Sequence, residues 1–182
     1  MKATLVKDID GLIIIEPDCH GDHRGWFMES YSKPKFEKIG ISCEFVQDNH
    51  SYSAKKGVLR GLHFQNAPYT QAKLIRCTRG AIMDFVVDLR SGSPSYKKWT
   101  KVELSAQNQR QFFIPGGFAH GFLTLSDEVE IQYKVDKVYS AEHDRSIRYD
   151  DPALSVDFGV SNPILSDKDA NAPLLKDSDI NF

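Results

Sequence analysis

The chain has 182 residues, 41% of them hydrophobic, with 23 basic and 25 acidic side chains and a formal net charge of −2. This length suits one domain with a sizeable core and leaves two domains cramped. No segment gathers Lys and Arg into a long run, which argues against nucleic acid or a membrane surface as partner; an anionic ligand must be held by a local cluster instead.

In chain order, short apolar or alternating runs separated by Gly, Asn, Ser, Asp or Pro predict strands over 12–16, 26–31, 44–52, 58–65, 72–79, 81–89, 97–104, 111–114, 119–125, 129–136 and 146–149. The N-terminal apolar run breaks after Ile15 with Glu16 and Pro17. It is too short for a signal-peptide core followed by a cleavage site, and no stretch approaches the ~20 apolar residues that span a bilayer. One helix is predicted over 33–39, with Ser32 as N-cap, Pro34 in its first turn and Gly40 as terminator. The tail from Pro163 to Phe182 is turn-rich and is expected to lie over the body of a single domain spanning 1–182. So many strands and so little helix predict an all-β sandwich or barrel. Cys19, Cys43 and Cys77 are odd in number and form no CxxC pair, which fits free thiols in a reducing compartment and an expected cytoplasmic location.

Strand alternation sorts residues by face. Ala81, Met83, Phe85, Val87 and Leu89 share a wholly apolar face, while Asp84 lies between Ile82 and Val86 on the other. In VEIQYKV, Tyr133 shares a face with Val129, Ile131 and Val135, so its ring points toward a core or a pocket.

Two segments carry the chemistry, GVLRGLHFQ (57–65) and IPGGFAHGF (114–122). The second contains the Pro-x-Gly-x-x-His pattern of a cupin barrel's second motif, ending at His120, where the His normally ligates a metal. The first reaches His63 at cupin spacing from Gly57, but Gln65 stands where a second His is expected and no Glu follows at ligand spacing. Two imidazoles and an amide make a poor ligand set for a catalytic metal that wants three His or carboxylate donors. No metal site is predicted, and His63 is left free to act as a base.

The motifs GDHRGWFMESY, FVQDNHS, VLRGLHFQ, KLIRC, VDLRSGSPSYKKW, IPGGFAHGF and LSDKDANAP run nearly from end to end. Together they closely resemble the dTDP-4-dehydrorhamnose 3,5-epimerase family. The resemblance implies a cupin-type β-barrel (jelly roll) with few short helices, a homodimer, no cofactor, and a dTDP-linked 4-keto-6-deoxy sugar as substrate. Protons at C3 and C5 of such a sugar flank the C4 ketone, so removal of either leaves an enolate. The chemistry needs a base on one face, an acid on the other and a cation or donor at the enolate oxygen.

By motif, the resemblance assigns His63 as base, Asp169 as its partner acid, Tyr133 as proton donor on the opposite face and Lys73 as the ammonium facing the ketone oxygen. It implies diphosphate contacts from Arg24 and Arg60, where a guanidinium fork suits phosphate oxygens. Phe27 and Tyr139 match an aromatic pair around the thymine; Glu29, Gln47, Asp48, Asn49, Asp144 and Lys168 match the polar substrate contacts, and His120 a sugar contact. Asp84 is a candidate partner for one of the pocket histidines. Arg60 and His63 have opposite strand parity, so both can face one pocket only if the strand bulges or bends, with Gly61 the candidate place.

Departures from the family pattern are small: Trp26, Phe27 and Met28 after Gly25, Asp144 near a frequent Glu, and Phe158 in place of a common Trp. Single-site epimerisation or 3,4-ketoisomerisation could run on the same scaffold. A non-catalytic sugar-nucleotide-binding cupin is the rival of a different class.

Overall fold

The computed structural model describes residues 1–182. Thirteen strands and three short helical segments build a two-sheet jelly roll. The first sheet runs in the order β1 (Lys2–Leu5), β2 (Ile13–Glu16), β10 (Gln111–Ile114), β7 (Lys73–Arg79), β12 (Val129–Val135), β5 (Gln47–Ser53). The second runs β13 (Asp144–Ser146), β6 (Leu59–Gln65), β11 (Phe118–Thr124), β8 (Ala81–Asp88), β9 (Trp99–Ser105). A hairpin of β3 (Cys19–Asp22) and β4 (Gly25–Met28) pairs with neither sheet.

Alternation decides what each face buries. From β8, Ile82 and Val86 enter the space between the sheets with Ile75, Phe112, Phe122 and Ile131. Phe85 and Val87 leave on the opposite face and pack under the C-terminal segment with Leu154 and Phe158. The five-stranded sheet is thus covered on both faces, which is why β8 reads as an almost unbroken apolar run. Phe85 is fully buried, a side chain whose burial is worth about 1.5–3 kcal/mol. A third cluster, with Ile13, Ile15, Leu74 and Phe113, is closed by Phe36 from α1 (Lys33–Glu37).

Several elements differ in detail from those predicted; Lys2–Leu5 adds a strand, and the strand predicted over 44–52 runs from Gln47 to Ser53. Ser32 opens α1 with an extended backbone but no side-chain cap, and Gly40 follows with φ +91°. The last predicted strand moves forward to Asp144–Ser146, because the chain turns at Arg148–Asp151. In the tail, Asp167–Ala170 form α2, capped by Ser166 Oγ, which accepts from the Asp169 N–H (3.2 Å), and Leu175–Asp177 form a 3₁₀ turn. Leu165, Leu175, Ile180 and Phe182 rest on the apolar cluster outside β6, β8 and β11.

The expected irregularity in β6 is present. His63 pairs with His120 and Arg60 with Phe122, so Gly61 and Leu62 together oppose the single residue Gly121. This two-against-one bulge resets the alternation and turns both Arg60 and His63 inward. Gly61 has φ +130°, and a Cβ there would lie 2.5 Å from Gly121 Cα. Only glycine meets both conditions.

Candidate active site

Between the sheets, against the inner apolar cluster at Ile75, Phe122 and Ile131, lies a cavity of about 480 Å³. His63, Lys73, His120, Tyr133 and Asp169 all line it, with Arg60 and Tyr139. Its floor comes from β6, β7, β11 and β12, and α2 closes one side.

His63 Nε2–H donates to Asp169 Oδ1 at 2.5 Å. The imidazole is about one-third exposed while Asp169 is buried. Burial alone would raise the Asp169 carboxyl, but the His63 hydrogen bond and charge, with Ser166, outweigh it and hold the group below the usual carboxylate range. The acid is therefore ionised at neutral pH, fixes the tautomer and leaves Nδ1 as the ring's free basic nitrogen.

Across β11, His120 Nε2 and Asp84 Oδ2 are joined at 2.8 Å. Asp84 has no exposed surface, and its Oδ1 has no hydrogen-bond partner within the chain. Burial raises its pKa against the opposing pull of His120 and Lys73. The sequence singled out Asp84 by its two apolar neighbours, and His120 is the pocket histidine it holds.

Lys73 Nζ stands 5.7 Å from the centroid of the Tyr133 ring and donates to Gln71 Oε1 at 3.2 Å. Burial lowers its pKa to about 8, against the pull of Asp144, Asp84 and Asp136. The Tyr133 phenol moves the other way, raised by burial, and stays protonated across the neutral range. Gln71 was not singled out from sequence, because it lies before β7 and outside the predicted strand 72–79, where alternation gives no face.

Other residues divide into those the fold gathers here and those it does not. Arg60 donates from Nη2 to the Tyr52 carbonyl (2.9 Å) and from Nε to Ser53 Oγ (3.2 Å). Tyr139 stands at the rim, and its hydroxyl donates to Asp144 Oδ2 (3.3 Å); Lys168 of α2 forms an ion pair with the same carboxylate. Gln47 Oε1 accepts from the Tyr139 N–H (3.0 Å), and its Nε2 donates to Asn49 Oδ1 (2.9 Å).

Asp48 does not join them. It lies between Gln47 and Asn49 on β5, so alternation sends it to the outer face, where Lys134 Nζ donates to it at 2.9 Å. Arg24, Phe27 and Glu29 are also absent from this cavity. Arg24 turns back on Asp22, Glu29 pairs with Lys35, and Phe27 projects from the free hairpin with 72% of its surface exposed.

At the position of a cupin's second histidine, Gln65 is buried and its amide is spent on backbone groups. Nε2 donates to the Tyr69 (2.8 Å) and Val138 (3.3 Å) carbonyls, and Oε1 accepts from the Ser140 N–H (2.7 Å). Three His, Cys, Asp or Glu side chains nowhere converge as a metal site would require.

Residues 6–177 match the sequence profile of one family, described as dTDP-4-dehydrorhamnose 3,5-epimerase. The chain belongs to this family. A dTDP-4-dehydrorhamnose 3,5-epimerase of Shigella flexneri is 50% identical over 177 residues, 97% of each chain. Among solved structures, the family member from Bacillus anthracis, with TDP and PPi bound, superposes with TM-score 0.92 at 47% identity, covering 96% of this chain and all of that one. A 3,5-epimerase from Legionella pneumophila, in complex with dTDP-4-keto-L-rhamnose, gives TM-score 0.92 at 46% identity and covers 98% and 94%. The epimerase family's cupin-like architecture is the one described above, so the all-β expectation and the resemblance drawn from the motifs agree with the fold.

Proposed function

We propose that the chain converts dTDP-4-dehydro-6-deoxy-D-glucose to dTDP-4-dehydro-L-rhamnose by epimerisation at C3 and C5. The observation that carries this is the meeting, in one cavity, of an imidazole backed by an ionised carboxylate, a protonated phenol and an ammonium. The His63 nitrogen takes the proton from C5 or C3. The C–H electron pair becomes the C=C bond of an enolate and the ketone π pair moves to oxygen. Lys73 stabilises that oxygen while charged. Tyr133 delivers a proton to the opposite face of the same carbon, the ketone re-forms, and solvent re-protonates the phenolate as His63 loses its proton. No bound metal or redox cofactor is needed for the atoms and electrons of this sequence to balance.

Proton NMR of a dTDP-4-keto-6-deoxyhexose in deuterated buffer tests the reading. The wild type should exchange both C3–H and C5–H and yield the L-rhamno product, while His63→Ala and Tyr133→Phe, both folded, should lose turnover by about 10²–10⁴. Deuterium entering only one carbon would make the chain a single-site epimerase. Wild-type exchange by His63→Ala would remove His63 as base, and nucleotide binding with no exchange by the wild type would indicate the binding-only cupin.

We further propose a cytoplasmic homodimer in which the β3–β4 hairpin of one copy reaches the cavity of the other. The hairpin pairs with no other strand, exposes Trp26 and Phe27, and carries Arg24 away from its own chain's cavity. Such an isologous exchange completes both sites at once. Mixing inactive Arg24→Ala and His63→Ala proteins under conditions that allow subunit exchange should restore about a quarter of the sites by random pairing. No recovery would mean that each chain completes its own site.

A further inference from the structure

We propose that Gln65 is a positioning residue for nucleotide binding: it clamps the backbone on both sides of Tyr139 and presets that ring at the cavity rim. The reading of Tyr139 as a base-stacking residue is what the family resemblance implies for the dTDP-linked substrate of the proposed function, and the clamp rests on it.

The geometry is specific. Gln65 lies on β6, buried to 4% exposure, two residues beyond the proposed base. Its amide grips Val138 O through Nε2 and the Ser140 N–H through Oε1, while Gln47 Oε1 takes the intervening Tyr139 N–H. Three consecutive residues, 138 to 140, are thus tied to two glutamines on strands of different sheets. A second bond from Gln65 Nε2 to Tyr69 O fixes which end of the amide is nitrogen, since both carbonyls need a donor and Ser140 needs an acceptor.

The ring that this segment carries is 58% exposed and has little packing of its own. Its only side-chain polar contact is the long one to Asp144. An exposed aromatic on an untethered loop would lose conformational freedom on stacking against a base. Fixing its backbone beforehand removes part of that loss, the general advantage of a preorganised site. The same amide also explains the departure from the cupin ligand pattern: with every hydrogen-bonding atom already engaged by the main chain, residue 65 holds a loop rather than a ligand.

The experiment is a double-mutant cycle on dTDP affinity by calorimetry, with Gln65→Leu, Tyr139→Ala and the double variant, alongside hydrogen exchange of segment 138–141. Gln65→Leu should weaken dTDP roughly tenfold and raise the Michaelis constant by more than it lowers turnover. In the Tyr139→Ala background the same change should have little further effect, the signature of two residues acting as one. Exchange at Tyr139 and Ser140 should quicken.

Should Gln65→Leu fold poorly, Gln65→Met keeps an unbranched side chain of similar length while losing the donor to Val138 and Tyr69 and the acceptor for Ser140, so it should show the same loss of dTDP affinity. Unchanged dTDP affinity in folded Gln65 variants, or additive losses in the cycle, overturns the clamp while leaving Tyr139 as a stacking residue. Wild-type affinity in Tyr139→Ala instead removes the stacking reading itself, and the clamp's role in binding with it.

Discussion

His63 and His120 sit directly opposite each other on antiparallel strands, yet each gives its Nε2 to a different buried carboxylate, Asp169 and Asp84. The two carboxylates are tuned apart: Asp169 is held ionised by its histidine, whereas complete burial raises Asp84. The two imidazoles therefore stand against carboxylates shifted in opposite directions.

Asp169→Asn should leave dTDP affinity unchanged but lower turnover by about 10²–10⁴, because the ring loses both its orientation and the charge that stabilises the imidazolium. Deuterium exchange at C3 and C5 should fall in parallel. A decrease below threefold would show that His63 works without its partner.

Lys73 gives a pH signature. With a folded pKa of about 8, its ammonium is present below that value and lost above it, so turnover should decline on the alkaline side of pH 8. Lys73→Met should lower turnover at pH 7 by about 10²–10³ and abolish that limb. Stability runs oppositely: between pH 8 and the ordinary lysine pKa near 10.4 the unfolded chain binds the extra proton, so wild-type stability rises with pH there. Urea titrations at pH 7.5 and 10 should show this rise in the wild type and not in Lys73→Met.

Gly61→Ala should destabilise the fold by roughly 2–4 kcal/mol, since the new methyl meets the backbone of β11 and the residue sits at φ +130°. The urea midpoint reports it directly. A loss under 1 kcal/mol would mean that β6 and β11 can separate locally without cost.

Asp88 has no exposed side-chain surface and accepts from Arg90, Ser93 and Ser95 within the loop that follows β8. Despite its burial, these donors hold it at about 2. A depressed carboxyl pKa contributes stability that is present above the unfolded value near 3.9 and disappears as pH falls toward 2. That contribution is on the order of 2 kcal/mol. Asp88→Asn should flatten this part of the acid-unfolding curve while lowering stability at neutral pH.

Much of this was legible from residues, and the exceptions have physical causes. Alternation placed Tyr133 inward and Asp84 between apolar neighbours, because β8 and β12 are regular. The parity conflict between Arg60 and His63 pointed to Gly61, since a strand can turn both inward only by inserting a residue. Asp48 lies apart from Gln47 and Asn49 because alternation along β5 sends it to the outer face, a distinction that a motif read as a string of letters does not make. β3, with the sequence CHGD, has no apolar periodicity to detect, and α2 is a single turn defined by its Ser166 cap. Arg24, Phe27 and Glu29 were grouped with the cavity by resemblance alone, and intrachain packing does not bring them there.

The distance along the chain between His63 and Asp169 sets an order of events during synthesis. All thirteen strands precede α2, so the barrel can close around its interior while the base still lacks its carboxylate. Catalytic competence would arrive only once the segment beyond the thirteenth strand has been made and docked: a chain cut short before Asp169 could keep both sheets and yet be unable to orient its base.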